Sequence, residues 1–140
     1  MNPYELAQRY VGIRELGPKD HPLIQWWLSL CGYSTDSPDE IPWCSAFVNG
    51  IAWELRLPRS KSAAARSWLT VGLPIFLHDA RAGDIVILKR NNNPEQGHVG
   101  FYASVEAQYV HVLGGNQSDS VCLAKFNQGD VLGLRRITNG

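Results

Sequence analysis

The chain has only three cysteines, no long apolar run and no surplus of either charge, and each shortage excludes something. Cys31, Cys44 and Cys122 cannot all pair with one another and show no C-x-x-C spacing. A disulfide framework and a cysteine-rich zinc site are both disfavoured, and a reduced thiol can be the working state. No His-x-x-x-His occurs either, so a zinc enzyme is disfavoured. Thirteen basic residues balance thirteen acidic ones, which leaves no electrostatic footprint for nucleic acid or a membrane surface. No stretch approaches the roughly 18 apolar residues of a membrane span, so no membrane insertion is expected. The start does not read as a secretory leader, because residues 1–12 carry charges and lack an apolar centre. Synthesis in the cytoplasm is therefore expected, and work outside it would require delivery.

What is present fits one domain over residues 1–140, long enough for a sizeable core. Asn2-Pro3 followed by Leu6, Ala7, Tyr10 and Val11 predicts a short amphipathic helix ending near Gly12. Glu15 and Gly17 fall in a turn. Asp20 then caps a second helix carrying Leu23, Ile24, Trp27 and Leu28, with a stop at Gly32. The third helix is the most apolar: Phe47, Val48, Ile51, Ala52 and Leu55 recur at three- and four-residue spacing. Pro42 suits its first turn, and Asp39-Glu40 suits its positive end. After Leu57-Pro58, Ser60 or Ser62 caps a short helix over 63–69, and residues 75–82, with His78, read as loop.

From Gly83 the periodicity changes. Asp84 to Leu88 is a near-continuous apolar run, as in a strand buried on both faces. His98 to Val105 and Gln108 to Leu113 read as the next two strands, and Val121 to Phe126 and Val131 to Ile137 as the closing ones. Gly114-Gly115-Asn116-Gln117-Ser118 reads as a loop that bends sharply or lets something approach. Helices first and an antiparallel meander afterwards predict an α+β fold with N-terminal helices packed on a C-terminal sheet.

Two residues in this plan carry chemistry. Cys44 falls in the first turn of a helix, beside backbone N–H groups that stabilise a thiolate. His98 begins a strand, where a side chain can look into a cleft, and Gly100 leaves room beside it. A helix-start cysteine and a strand-start histidine are the parts of a thiolate–imidazolium pair.

The run Pro42-Trp43-Cys44-Ser45-Ala46-Phe47-Val48, the Gly83-Asp84-Ile85-Val86 strand, Gly97-His98-Val99-Gly100-Phe101-Tyr102 and Gly114-Gly115-Asn116-Gln117 together resemble the NlpC/P60 and CHAP superfamily of papain-like cell-wall hydrolases. More narrowly they resemble a compact subfamily carried by phages, prophages and bacteria. The resemblance implies a papain-like fold and a cysteine amidase or endopeptidase cutting peptidoglycan stem peptides without metal or cofactor. It implies Cys44 as nucleophile and His98 as general base. For the third member a CHAP-like pattern points to Asn116 and an NlpC/P60 pattern to His111, and Asn116 is favoured because two glycines would let its loop reach the imidazole. Trp43 stands where NlpC/P60 proteins usually carry Asp, which favours the CHAP side.

Trp43, Trp68 and Gln117 are candidate substrate-groove residues. A thiol acyltransferase or deamidase, and a non-catalytic wall-binding module, are the competing readings. The implied partners are the stem peptide and, for a bacteriolytic effector or endolysin, an immunity protein or delivery machinery, with the enzyme itself a monomer.

Overall fold

The computed structural model describes residues 1–16, 21–34 and 42–138. Helix α1 (Pro3–Gln8) opens on Asn2, whose side chain accepts the Glu5 N–H at 2.9 Å, with Pro3 pre-set for the first helical position. The chain turns on to Gly12, whose φ of +101° suits glycine. Helix α2 (Pro22–Ser29) is capped by His21, whose Nδ1 accepts the Leu23 N–H at 3.1 Å. Asp20 and the Gly17 end of the predicted turn lie outside the described residues.

Helix α3 (Cys44–Glu54) starts two residues after Pro42, with Trp43 as its N-cap. The proline therefore precedes the helix instead of occupying its first turn, and Asp39-Glu40 lie outside the described residues. All nine residues from Cys44 to Ala52 are buried, as expected of a helix covered on every side. Its close approach to α2 depends on Gly50: a Cβ there would stand 2.3 Å from the Trp27 ring. Ser45 and Asn49 are buried with it, and both are bonded. Ser45 Oγ donates to the Ser62 carbonyl at 2.6 Å, and Asn49 Oδ1 accepts the Lys61 N–H at 2.9 Å. These bonds tie the 60–62 segment to the helix. The helix predicted over 63–69 is a 3-10 helix over Ala65–Thr70, with Ser62 Oγ accepting the Ala64 N–H.

The sheet has six strands: β1 (Leu73–Ile75), β2 (Ile85–Arg90), β3 (Asn93–Glu106), β4 (Tyr109–Gln117), β5 (Ser120–Asn127) and β6 (Val131–Arg136). They are antiparallel throughout, in the order β1-β6-β2-β3-β4-β5. The fold is α+β, with the helices against one face of this sheet. Ile85, Ile87, Val99, Phe101 and Leu113 pack with α3, whereas Val86, Leu88, Tyr102, Val110, Val112 and Leu134 form a second cluster on the other face. The apolar β2 run is thus buried on both sides. Among the described residues, no helix is long and apolar enough to cross a membrane.

Candidate active site

The first intrahelical bond of α3 runs from the Phe47 N–H to the Trp43 carbonyl at 2.9 Å. The N–H groups of Cys44, Ser45 and Ala46 precede it and have no partner within the helix, so they form its electropositive end. Cys44 is only 3% exposed there, beneath the layer of β3. Burial by itself pushes its thiol up. The hydrogen bond and charge of His98 outweigh that, aided by backbone bonds from Val99 and Ser45, and the net direction is down.

His98 is held from three sides. Gly97, just before it, lets the 3-10 helix close on β3, because a Cβ would lie 2.9 Å from the Leu88 carbonyl oxygen and 3.3 Å from Arg66 Cγ. Arg66 clamps the same strand by donating to the Gln96 and Asn93 carbonyls at 2.7 and 3.0 Å. Phe126 covers the imidazole at 5.2 Å between ring centroids. Burial opposes the charged imidazole, but bonding and charge from Cys44 and the bond to Gln117 outweigh it, so the His98 pKa is raised. A thiol pushed down and an imidazole pushed up are the two halves of an ion pair.

The remaining imidazole nitrogen, Nε2, lies 2.8 Å from Gln117 Oε1. The orientation of that amide follows from its other end: Gln117 Nε2 donates to the Cys122 carbonyl at 2.6 Å and to the Val112 carbonyl at 3.3 Å. Its oxygen must then face His98, so His98 Nε2 is the donor and Nδ1 is left for the sulfur. Gly114 makes space for this bond, since a Cβ there would lie 2.8 Å from Gln117 Oε1 and 3.4 Å from His98 Nε2. Gly115 lets the strand end press on α3, where a Cβ would meet Trp43 at 2.6 Å.

Several predicted site residues sit elsewhere. The expected 114–118 loop belongs largely to β4, with a bulge between Gly114 and Gln117. Asn116 sits in that bulge at φ +58°, and the bond to the imidazole expected of it is made by Gln117 instead. Asn116 lines the cleft beside His98. His111, the alternative, points at Glu106 at 3.4 Å and does not contact His98. Trp43 and Trp68 are completely buried, which removes them from a substrate groove. The Trp43 indole donates to Glu15 at 2.7 Å and stacks on Trp27, and the Trp68 indole donates to Ser45 Oγ at 2.9 Å. Their place is in the core.

Two neighbouring clefts share Arg90 and Asn91, and one of them reaches His98. One, of about 430 Å³, is lined by Arg90, Asn91, His98, Asn116, Gln117 and Phe126 among others. The second, of about 420 Å³, runs past Pro42, Ala63 to Ala65, Gly97 and the same Arg90 and Asn91. A larger depression of about 820 Å³ lies at the far end of α3, between Trp53 and Lys61, and touches neither Cys44 nor His98. Among the described residues, no group of three or more His, Cys, Asp or Glu side chains is placed to hold a metal.

The sequence profile of the CHAP domain matches residues 36–116. No curated protein matches the chain. Several solved structures share the fold, three of them as follows. NlpC1 from Trichomonas vaginalis superposes with a TM-score of 0.59 at 19% identity, over 96% of this chain and 42% of that one. An NlpC/P60 family protein from Bacillus cereus gives 0.60 at 13% identity, over 97% and 39%. A Staphylococcus aureus protein described as similar to lipoprotein, NLP/P60 family, gives 0.57 at 20% identity, over 99% and 41%. The present chain thus spans about two fifths of the length of these proteins. At such identities the likeness is one of fold, and the fold is papain-like.

Proposed function

The chain belongs to the CHAP domain family, within the NlpC/P60 and CHAP superfamily, and on that footing we propose that it is a cysteine amidase or endopeptidase of peptidoglycan. The observation that carries the reading is the line from Cys44 through His98 to Gln117, built at a helix start facing a strand. In this reading the Cys44 thiolate attacks an amide carbonyl of the stem peptide. The N–H groups at the start of α3, that of Cys44 included, bond to the oxyanion as it develops. The proton held on His98 Nδ1 passes to the leaving amine, and the neutral imidazole then takes a proton from water for deacylation. Gln117 is the orienting group: it keeps Nε2–H donated and Nδ1 aimed at the sulfur throughout. Such an activity suits a phage lysis enzyme or a delivered antibacterial effector.

The test is release of new amino groups from purified sacculi. Release that iodoacetamide abolishes and chelator spares supports the reading. Loss in chelator with recovery on added zinc contradicts it, as does turnover that only transfers the acyl group to an added amine.

A further inference from the structure

Arg90 occupies a singular place in the two clefts. It ends β2 with an exposed side chain, and it is shared, with Asn91, by the cavity that His98 lines and the neighbouring one that runs past Gly97. The other cations of the cleft are engaged: Lys89 faces Asp130 at 3.9 Å, and Lys125 stands 4.6 Å over the Tyr109 ring. Among the described residues, the Arg90 side chain makes no hydrogen bond or ion pair. The hairpin that carries it is nonetheless held in place. Arg66 bonds both the Asn93 and the Gln96 carbonyls, and Asn91 and Asn92 both take the positive φ that a tight turn needs. The charge is close enough to be felt at His98, where it opposes protonation. A planar five-donor cation on a fixed support, unpartnered and beside the reacting pair, suits a carboxylate.

We propose that Arg90 is a specificity residue that binds a carboxylate on the substrate next to the scissile amide, so that acidic peptides are preferred over their carboxamide forms. The proposal rests on the reading of Cys44 as the nucleophile of a peptide amidase. It deepens that reading by naming the charge of the substrate. A carboxylate so bound would offset the Arg90 charge near His98, so an acidic substrate would also favour the imidazolium that the attack requires.

The test has two arms, and the first needs no substrate. Iodoacetate and iodoacetamide differ by one carboxylate, so the ratio of their rates at Cys44 reads the attraction of the site for that group. Alkylation is located by mass spectrometry, and Cys31, whose thiol burial pushes up to about 11, stays protonated at neutral pH. The iodoacetate-to-iodoacetamide ratio should fall about three- to tenfold in Arg90→Gln, as loss of one unit charge at close range in a wet cleft implies, and Arg90→Lys should recover part of it. An unchanged ratio overturns the proposal. In the second arm, Arg90→Gln should lower kcat/KM on a carboxylate-bearing stem peptide about ten- to a hundredfold, chiefly through KM, with a much smaller loss on the carboxamide. Equal losses on both peptides overturn it. A wild-type protein that cleaves neither peptide yet keeps the alkylation ratio would refute the amidase reading and leave the carboxylate site standing.

Discussion

Gln117 Oε1 lies 2.8 Å from His98 Nε2, and the same amide is locked at its other end by two backbone carbonyls. The imidazole is thereby fixed in one tautomer before any substrate arrives. Gln117→Ala should cut turnover about tenfold to a thousandfold while Cys44 remains in place, by analogy with triad orienters. Asn116→Gly removes the neighbouring side chain without straining the left-handed backbone at φ +58°, and should cost far less. His111→Ala should cost little beyond its contact with Glu106. Initial rates on sacculi with thermal melts decide among the three, and a crippled, folded Asn116→Gly or His111→Ala would displace Gln117.

The ion pair makes a prediction in pH. Cys44 is shifted down and His98 up, so the thiolate–imidazolium form occupies a window opening below the ordinary thiol range and closing above the ordinary imidazole range. Alkylation of Cys44 should therefore begin as pH rises through the depressed thiol value, and turnover should fall again once the imidazolium is lost. In His98→Ala the opposing burial is left largely uncompensated, and the onset of alkylation should move to higher pH. An onset that stays put in His98→Ala would show that the helix end and backbone alone hold the thiolate.

Cys31 and Cys122 should be replaceable. Cys31 is displaced upward by burial and has no imidazole partner among the described residues. Cys122 supports Gln117 mainly through its backbone carbonyl, which substitution leaves intact, while its thiol contact to the Gln117 carbonyl is 3.3 Å. Cys31→Ser and Cys122→Ala should each keep turnover within about threefold, the scale of one weak neutral hydrogen bond. A larger loss at unchanged melting temperature would point to a second working thiol.

Packing at Gly50 should prove as demanding as the chemistry. Alanine there gains about 1 kcal/mol of helix propensity, but its Cβ meets the fully buried Trp27 ring at 2.3 Å, and overpacking costs about 1–3 kcal/mol. The rigid indole puts this site at the costly end, so Gly50→Ala should lower the melting temperature by several degrees. An equal or higher melting temperature would mean that α2 shifts freely on α3.

How legible each part was depends on where its determinants lie. Cys44 stands at the start of a helix whose periodicity marks it. His98, expected to begin its strand, lies inside β3, because pairing with β2 extends that strand back to Asn93. The structure still brings together the two residues that the pattern had singled out. The third contact was legible only to within one residue. The bulge between Gly114 and Gln117 changes which side chain turns toward His98, and one residue of slip in a strand exchanges its faces. The Gly-Gly-Asn run signals such a bulge without fixing its phase. Trp43 and Trp68 mislead because an indole beside a nucleophile suits a groove wall as well as a core. The bonds that settle the matter, to Glu15 and Ser45, cross 28 and 23 residues of sequence. Strand β1 was missed because three residues, two of them exposed, carry no alternation, and pairing with β6 defines it.

The central claim is that Cys44 hydrolyses an amide of the wall peptide. Mass spectrometry of muropeptides after digestion of sacculi, with wild type beside Cys44→Ala and Cys44→Ser, addresses it most directly. The expected result is a set of wild-type fragments that gain one water and a free amine at a single peptide bond, with neither variant producing them while both keep the wild-type melting temperature. The same fragments from a folded Cys44→Ala, or cleavage of glycosidic bonds alone by the wild type, would contradict the account.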